Sequence, residues 1–180
     1  MNANVTHSGS PVGYVDIAAF KSAMRNVAGG VSIVATGNAA ERRGLTVTSA
    51  CSVSVDPPCV LICINRSADA HDFIANNGTF SWNVLSAAQA ELAERFAARD
   101  GSKGAARFSS LDWYERITGA PILGAALSSF DCRVVHAFDL GTHTVFIGAV
   151  VAEAHQSAGE PLVYVRGRFA VPRDDACATP

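Results

Sequence analysis

The sequence lacks the short motifs that mark several common catalytic and nucleotide-binding sites. The pattern G-x-G does not occur, so the glycine-rich fingerprint of a Rossmann crevice is missing. There is also no Walker P-loop, no H-E-x-x-H zinc motif and no G-x-S-x-G nucleophile elbow. These absences exclude the usual templates, and they leave open a redox cofactor that is bound in another way.

Long apolar runs and clusters of positive charge are also missing. No apolar stretch approaches the roughly 20 residues that a membrane-spanning helix needs, and the polar start MNANVTHSGSPVG does not resemble a signal peptide. Charged residues make up 17% of the chain, the net charge is −2, and no Lys/Arg cluster stands out. We therefore expect a cytoplasmic protein that binds neither membranes nor nucleic acid.

Cysteine occurs five times, without a C-x-x-C pair. Most of the cysteines have apolar neighbours, which favours buried, reduced side chains in a reducing compartment. Cys59 and Cys63 are four residues apart, but no further ligand follows at a usable spacing. We therefore expect no metal site.

The chain has 180 residues, of which 49% are hydrophobic, and this suits one domain with a sizeable core. We expect a flexible arm over 1–15, a single domain over 16–171 and a flexible tail over 172–180. A chain this short and this apolar often buries further surface in an oligomer interface, so an oligomer is expected.

Hydrophobic periodicity predicts a mainly β fold with two or three flanking helices. Helices are predicted from Asp16, as N-cap, to the glycines at 29–30, over 67–77, and from the capping box Ser86-x-x-Gln89 to about residue 98. Strands are predicted at 31–37, 45–55, 59–64, 79–86, 129–138, 143–154 and 161–171, with 109–129 irregular. Short links between these strands predict an antiparallel sheet that is closed or half-closed into a barrel.

Two polar segments interrupt this apolar framework. From Thr46 to Ser54 hydroxyl and apolar side chains alternate, which is typical of a strand with one polar face and also of a strand that lets a flat ring approach its backbone. Asn65-Arg66-Ser67 follows an apolar strand and precedes a helix. A cation, a hydroxyl and free N–H groups at a helix start predict an anion site, or simply a capped helix.

Four further polar residues lie on predicted strands. His143 opens an apolar strand, where a histidine is usually structural. Tyr164 and Arg166 are two residues apart on the last predicted strand and therefore share a face. His136 lies in the middle of a predicted strand, which favours a core position.

Six segments of the chain match one known family in order and spacing. They are GGVSIVAT (29–36), RGLTVTSACSVSVDPPCVLICINRSADAHDFI (43–74), FSWNVLS (80–86), KGAARF (103–108), GTHTVFIGAV (141–150) and LVYVRGRF (162–169). The chain thereby resembles, over residues 16–171, the flavin reductase family of short-chain NAD(P)H:flavin oxidoreductases. The pattern G-L-T-x-(T/S)-x-x-x-S-V-S-x-D-P-P is its most specific part.

The resemblance implies a split β-barrel of the FMN-binding type with Greek-key antiparallel strands, a homodimer, and a flavin near the subunit interface. It implies hydride transfer from NADH to FAD or FMN, with FAD favoured. The reduced flavin then serves a separate aromatic monooxygenase of the phenol or chlorophenol type. The alternative that remains open is a non-catalytic flavin- or haem-binding carrier or sensor on the same barrel.

The resemblance also implies roles for individual residues. The flavin-binding set is Ser32, Thr46, Thr48, Ser49, Ala50, Ser52, Val53, Cys63, Asn65, Arg66, Ser67, Phe73 and Lys103. The NAD-binding set is His143, Tyr164, Arg166 and Gly167, of which His143 positions the nicotinamide. His143 falls on the histidine of the family's Gly-Asp-His pattern, but Thr142 stands where aspartate is usual. We therefore expect a positioning role for His143 rather than electrostatic catalysis.

Overall fold

A seven-stranded antiparallel sheet with short flanking helices forms the centre of the computed structural model, which describes residues 13–109 and 111–172. The predicted mainly β fold is confirmed. Most of the predicted arm (1–15) and tail (172–180) lies outside the described residues. Within the described part of the chain, no helix is long and apolar enough to cross a membrane.

The described elements are short helices and strands. The helices are α1 (Ile17–Met24), α2 (Asp69–Asn77) and α3 (Ala90–Phe96), and 3₁₀ turns cover Ala87–Gln89 and Gly104–Phe108. The strands are β1 (Gly29–Gly30), β2 (Ser32–Gly37), β3 (Arg42–Val47), β4 (Ala50–Val55), β5 (Pro58–Asn65), β6 (Thr79–Val84), β7 (Trp113–Glu115), β8 (Pro121–Leu123), β9 (Ser128–Leu140), β10 (His143–His155), β11 (Val163–Val165) and β12 (Arg168–Ala170). The main sheet has the order β3-β2-β6-β9-β10-β5-β4, and β1-β11-β12 and β7-β8 form smaller sheets.

The segment 45–55 forms two strands, so the prediction of one long strand is wrong. β3 pairs with β2 and β4 pairs with β5, and they stand at opposite ends of the main sheet although only Thr48 and Ser49 separate them. Adjacent strands lie about 4.8 Å apart, so the outer strands of a flat seven-stranded sheet would be about 29 Å apart. Two linking residues do not span that distance. The sheet therefore curls until its two ends meet at Thr48-Ser49.

The segment 161–171 is a hairpin, so the single strand predicted there is wrong as well. β11 and β12 pair on either side of Arg166 and Gly167, whose φ angles are 53° and 80°. Two successive positive φ angles are typical of the tight turn between hairpin strands. Tyr164 and Arg166 therefore do not share a strand face, because Arg166 lies in the turn. The predicted irregular segment 109–129 also contains a small hairpin, β7 and β8.

Two clusters of buried side chains form the core. In the first, Phe80 and Phe146 pack with aliphatic residues of β2, β5 and α2. In the second, the rings of Phe96 and Phe108 meet edge to face, with centroids 5.0 Å apart. The first cluster holds β5, β10 and α2 against one another, and the functional site lies where these three elements end or begin.

The first helix begins where the sequence predicts, because the Asp16 side chain accepts a hydrogen bond from the Ala19 N–H at 2.9 Å. Its apolar face does not reach the core. Ile17, Phe20 and Met24 are 70%, 55% and 47% exposed. Neighbouring exposed apolar residues of this kind are typical of surfaces that bind a ligand or another protein.

The outer part of β9 is also exposed. β6 covers β9 only as far as residue 133, and beyond that point β9 pairs with β10 alone. Val135, Phe138 and Leu140 consequently stand in solvent, and so does His136. The predicted core position of His136 is wrong, because the β9–β10 ribbon extends past the strand that would have covered it.

Candidate functional site

A cavity of about 1040 Å³ opens where β5 ends and β10 begins. Its walls come from α1, the β5–α2 loop, the first turn of α2 and the β9–β10 turn. The lining residues are Ile17, Phe20, Lys21, Asn65, Arg66, Ser67, His71, Asp72, Gly141, Thr142 and His143. We call this space the main cavity. It brings the predicted anion loop and the predicted nicotinamide-positioning histidine together.

The anion loop is Asn65-Arg66-Ser67, and it is held by local hydrogen bonds. Asn65 Oδ1 accepts bonds at 2.9 Å from both the N–H and the hydroxyl of Ser67, which forms a turn at the end of β5. The Arg66 N–H donates to the Thr142 carbonyl at 3.0 Å and ties the loop to the β9–β10 turn. The half-exposed Arg66 side chain lies 3.8 Å from Asp139 and remains accessible to a ligand.

His143 lies opposite Asn65 in the pairing of β10 with β5. Its side chain is exposed in the main cavity, and Nδ1 lies 2.9 Å from the Thr142 hydroxyl. Thr142 therefore gives the ring a neutral partner where the family pattern has a carboxylate. A neutral partner orients an imidazole without adding the attraction of a negative charge.

A second space, the adjoining cleft, continues from the main cavity along α1. It has a volume of about 430 Å³ and shares Phe20 and Lys21 with the main cavity. Thr48 and Ser49, which join the two ends of the sheet, form part of its wall together with Tyr164. The curled sheet thus gathers predicted flavin-binding and NAD-binding residues from distant segments into one connected space.

The electrostatics of the main cavity favour an anion beside Arg66. Two carboxylates in the first turn of α2 have cationic or imidazole partners of their own. Asp69 lies 3.9 Å from the buried guanidinium of Arg107, and Asp72 lies 2.7 Å from Nδ1 of His71. These partners offset the negative charge of the two carboxylates at the anion loop.

Three predicted flavin-binding residues are part of the barrel wall. Ser32 is only 2% exposed on β2, so its side chain does not reach either space. Thr46 donates its hydroxyl to the Ala93 carbonyl at 2.7 Å and faces a smaller pocket of about 180 Å³. Ala50 is half-buried where β4 begins, opposite Ile62. Their side chains line neither the main cavity nor the adjoining cleft.

Cys63 and Phe73 also lie behind the site. Cys63 is half-buried on β5, where burial, and to a lesser extent Cys51, raises the pKa of its thiol. The Phe73 ring lies 4.4 Å from the guanidinium of Arg43, which stacks over it. Neither side chain therefore lines the main cavity or the adjoining cleft, and both pack against other parts of the protein.

The structure does not bring Ser52, Val53 or Lys103 to the cavity. β4 runs antiparallel to β5 and moves away from the end of β5 with each residue. Ser52 accordingly lines a separate groove beside Trp82 and Phe130, and Val53 is 49% exposed at a bulge. Lys103 is exposed and precedes the second 3₁₀ turn.

Arg166 and Gly167 act on the site through α1. The Arg166 N–H donates to the Arg25 carbonyl at 2.7 Å, and the Arg25 guanidinium donates to the Arg166 carbonyl at 3.4 Å. Arg25 follows directly after α1 and lines the adjoining cleft. The β11–β12 turn thereby holds the end of α1 over the cleft.

Some residues of the site were missed at the level of the sequence. Phe20, Lys21 and Met24 line the cavity or the cleft, although their helical spacing predicts a core-facing helix. His71 was not missed in the same way, because the sequence places it on a short helix beside the anion loop, and it lines the main cavity. The available signal is weak, because helical periodicity shows that α1 has an apolar face and does not show what that face contacts.

The residues of the connected space fit a flavin that carries a phosphate. Arg66 and Ser67 offer donors for the phosphate at one end. Phe20 and Met24 offer apolar surface for a flat ring, next to the backbone of the Thr48-Ser49 link. The donor set and the apolar lining are therefore complementary to the two halves of such a molecule.

Comparisons with known proteins agree with this geometry. Residues 24–172 match the family model described as "Flavin reductase like domain". The chain is 43% identical over 163 residues to "FMN reductase (NADH) RutF 2" of Methylorubrum extorquens, and this match covers 90% of the chain and 94% of that protein.

Solved structures lead to the same family. The Streptomyces globisporus NADH:FAD oxidoreductase SgcE6, in complex with NAD and FAD fragments, superposes with a TM-score of 0.81 and 31% identity, covering 89% of this chain and 95% of that one. BorF, the flavin reductase component of a bacterial two-component tryptophan halogenase, has a TM-score of 0.80 and 31% identity over 88% of this chain and 99% of its own. The predicted split-barrel fold is confirmed by these likenesses, and the chain belongs to the flavin reductase family.

Proposed function

We propose that this chain reduces FMN with NADH by direct hydride transfer inside the connected main cavity and adjoining cleft. The observation that carries the proposal is the meeting of Asn65-Arg66-Ser67 with His143 in one cavity. The chain is an oxidoreductase of its family, and its relatives are named as NADH-dependent FMN reductases. FAD, which the resemblance favours, remains a second substrate, because the SgcE6 likeness is to an NADH:FAD oxidoreductase.

The assigned roles follow from the chemistry of the lining. Arg66, Ser67 and Lys21 bind the flavin phosphate, and the Thr48-Ser49 backbone faces the ring. Hydride transfer between nicotinamide C4 and flavin N5 is the chemistry of the two substrates themselves. The protein contributes by holding the two rings close together and in the correct orientation, which raises their effective concentration towards each other.

His143 positions the nicotinamide, and replacing it tests this role. His143→Ala is expected to raise the KM for NADH about 2- to 10-fold, the range of one neutral hydrogen bond, and to leave the KM for FMN unchanged. Stopped-flow flavin reduction and steady-state NADH oxidation measure both values. His155→Ala is the matched control, because His155 is exposed on the far end of β10. A wild-type kcat/KM for NADH in His143→Ala would contradict the assignment.

The partner that receives reduced flavin is a separate flavin-dependent oxygenase. The BorF likeness supports a two-component arrangement, since BorF is described as the reductase component of a tryptophan halogenase. The phenol or chlorophenol monooxygenase expected from the resemblance stays a prediction about the partner's substrate. Product formation by an added phenol-type oxygenase component, with this chain as the only source of reduced flavin, tests that prediction.

A homodimer is the proposed assembly. The exposed apolar residues lie on α1, which forms one wall of the main cavity, and on the outer part of β9, which leads into the β9–β10 turn that forms another wall. A second copy that covers these residues also encloses the cavity. We expect light scattering to give twice the chain mass of 18.7 kDa, and Leu140→Asp, at a residue 72% exposed, to shift the mass to that of one chain. Ile117→Asp, also at an exposed position, is the control. A monomeric wild-type protein would refute the assembly.

Steady-state oxidation of NADH and of NADPH, followed at 340 nm with FMN, FAD and riboflavin in turn, tests the proposed function as a whole. Turnover with FMN and NADH supports a reductase. Flavin binding without any NADH or NADPH oxidation would instead identify the carrier or sensor that the sequence leaves open, and would overturn the proposal.

A further inference from the structure

One polar chain beside the main cavity is not used by the reaction as described so far. His71 of α2 stands between two acceptors: its Nδ1 lies 2.7 Å from Asp72 Oδ1, and its Nε2 lies 2.8 Å from the Thr144 hydroxyl. The Thr144 hydroxyl in turn donates to Asp139 Oδ1 at 2.6 Å. Asp139 Oδ2 lies 3.8 Å from Nε of Arg66. The chain of contacts thus runs from α2 across β10 and β9 to the anion loop.

The protons in this chain can be assigned by counting. Thr144 has a single hydroxyl proton, and that proton goes to the Asp139 carboxylate. The contact between Thr144 and Nε2 of His71 therefore needs a proton on Nε2. The contact between Nδ1 and the Asp72 carboxylate needs a proton on Nδ1. Both contacts are hydrogen bonds only when His71 is an imidazolium.

Burial fixes the middle of this chain, at His71 and Thr144. Thr144 is 3% exposed, and the His71 side chain is 13% exposed with its ring tilted against Phe146 at 5.7 Å between centroids. Asp72 and Asp139 are 83% and 59% exposed, so both carboxylates of the chain meet solvent while His71 and Thr144 between them do not. If Nε2 of His71 carried no proton while the Thr144 hydroxyl donated to Asp139, the contact between Nε2 and that hydroxyl would lack a hydrogen bond at a site that water hardly reaches.

The charged and titratable groups around His71 come from every neighbouring element. Asp72 faces it from α2 itself, and Asp139 faces it from β9 through the Thr144 hydroxyl. The main cavity adds Arg66 from the anion loop, His143 from β10 and Lys21 from α1. The two carboxylates are opposite in charge to an imidazolium, and the cationic groups on the cavity side have the same charge as one.

We propose that protonated His71 is a positioning residue for the phosphate of the flavin, acting through Thr144 and Asp139 on the Arg66 guanidinium. The proposal rests on the proposed function, because it takes Arg66 as the phosphate ligand. When Nε2 of His71 loses its proton it becomes an acceptor, and the Thr144 hydroxyl can turn to donate to Nε2 instead of Asp139. Asp139 then loses that hydrogen bond, which loosens the placement of Arg66. Binding of phosphorylated flavin is then coupled to pH, whereas binding of riboflavin, which has no phosphate, is not.

The test compares His71→Gln with the wild-type protein, because the neutral amide of glutamine mimics a histidine that has lost its charge. KM values for FMN and riboflavin are measured from about pH 5 to about pH 8, the range in which histidine titrates. At the acid end, the ratio of the KM for FMN in His71→Gln to that in the wild-type protein is about five, which is the low end of the usual range of coupling between linked sites. This ratio falls towards one as the pH rises, because the wild-type imidazolium is lost. Titration of the FMN phosphate affects both proteins and cancels in the ratio.

Two further variants complete the test. Asp72→Asn replaces the exposed carboxylate partner of His71 Nδ1 by a neutral amide, and it raises the KM for FMN while leaving the KM for riboflavin unchanged. His155→Gln alters another histidine beside a carboxylate, the Glu153 pair at 2.9 Å, and it leaves both KM values unchanged. A ratio that stays constant with pH, or an equal change for riboflavin, would overturn the role of His71. If Arg66→Ala leaves the KM for FMN unchanged, the phosphate site itself fails, which is a separate result.

Discussion

Replacing Arg66 with alanine raises the KM for FMN by about 10- to 100-fold, the value of one charge-assisted hydrogen bond to a phosphate. The guanidinium is half-exposed on a loop whose backbone is held by the Ser67 and Thr142 contacts, so the fold does not depend on it. The KM for riboflavin changes by less than about twofold, because riboflavin brings no phosphate to the loop. Steady-state NADH oxidation with the two flavins measures this difference.

Arg133→Ala is the matched control for this experiment. Arg133 is exposed on β9 and lines neither the main cavity nor the adjoining cleft, so its removal tests the effect of lost charge alone. An equal rise in KM for FMN in both variants would mean that general electrostatic attraction, rather than a contact with Arg66, governs phosphate binding.

Phe80→Ala destabilises the protein by about 3–5 kcal/mol, the usual cost of removing a large aromatic side chain from a core. Phe80 is fully buried in the first core cluster and lies opposite Cys132. Its ring fills the space above Gly148, where a Cβ atom would lie only 2.6 Å from Phe80 Cζ. Urea denaturation at one protein concentration measures the loss in the free energy of unfolding.

Ile117→Ala gives the reference for that measurement, because Ile117 is 61% exposed. We expect its free energy of unfolding to stay within about 0.5 kcal/mol of the wild-type value. A loss below about 1 kcal/mol for Phe80→Ala would contradict the description of this core. It would mean that β6 and β10 can close the space left by the missing ring at almost no cost in free energy.

The anion loop and His143 were predictable because each is marked by a local pattern. Asn65-Arg66-Ser67 is a polar triplet between an apolar strand and a helix, and His143 interrupts an apolar alternation. Their meeting in one cavity depends on the pairing of β5 with β10, which no short window of sequence contains. The sequence also places His71 on a short helix beside the anion loop, but its link to Arg66 comes from contacts with Thr144 and, through it, with β9.

The errors in the predicted strands have a common cause. Residues 45–55 and 161–171 are extended almost throughout, so alternation predicts one strand in each. Strand identity depends on hydrogen-bond partners, and the partner changes at Thr48-Ser49 and at Arg166-Gly167. The apolar face of α1 was misread for a similar reason, since periodicity reveals an apolar face without saying what covers it.

The sequence by itself determined the class of fold, the start of the first helix, the anion loop and the membership of a family. These properties depend on propensity, capping and order along the chain, which act over a few residues. Only the tertiary structure decided that the two ends of the sheet meet at Thr48-Ser49, that Ser52, Val53 and Lys103 lie away from the cavity, and that His71 is linked to Arg66. Those outcomes depend on pairing and burial between segments far apart in the chain, where the free energy of closing the barrel selects one arrangement.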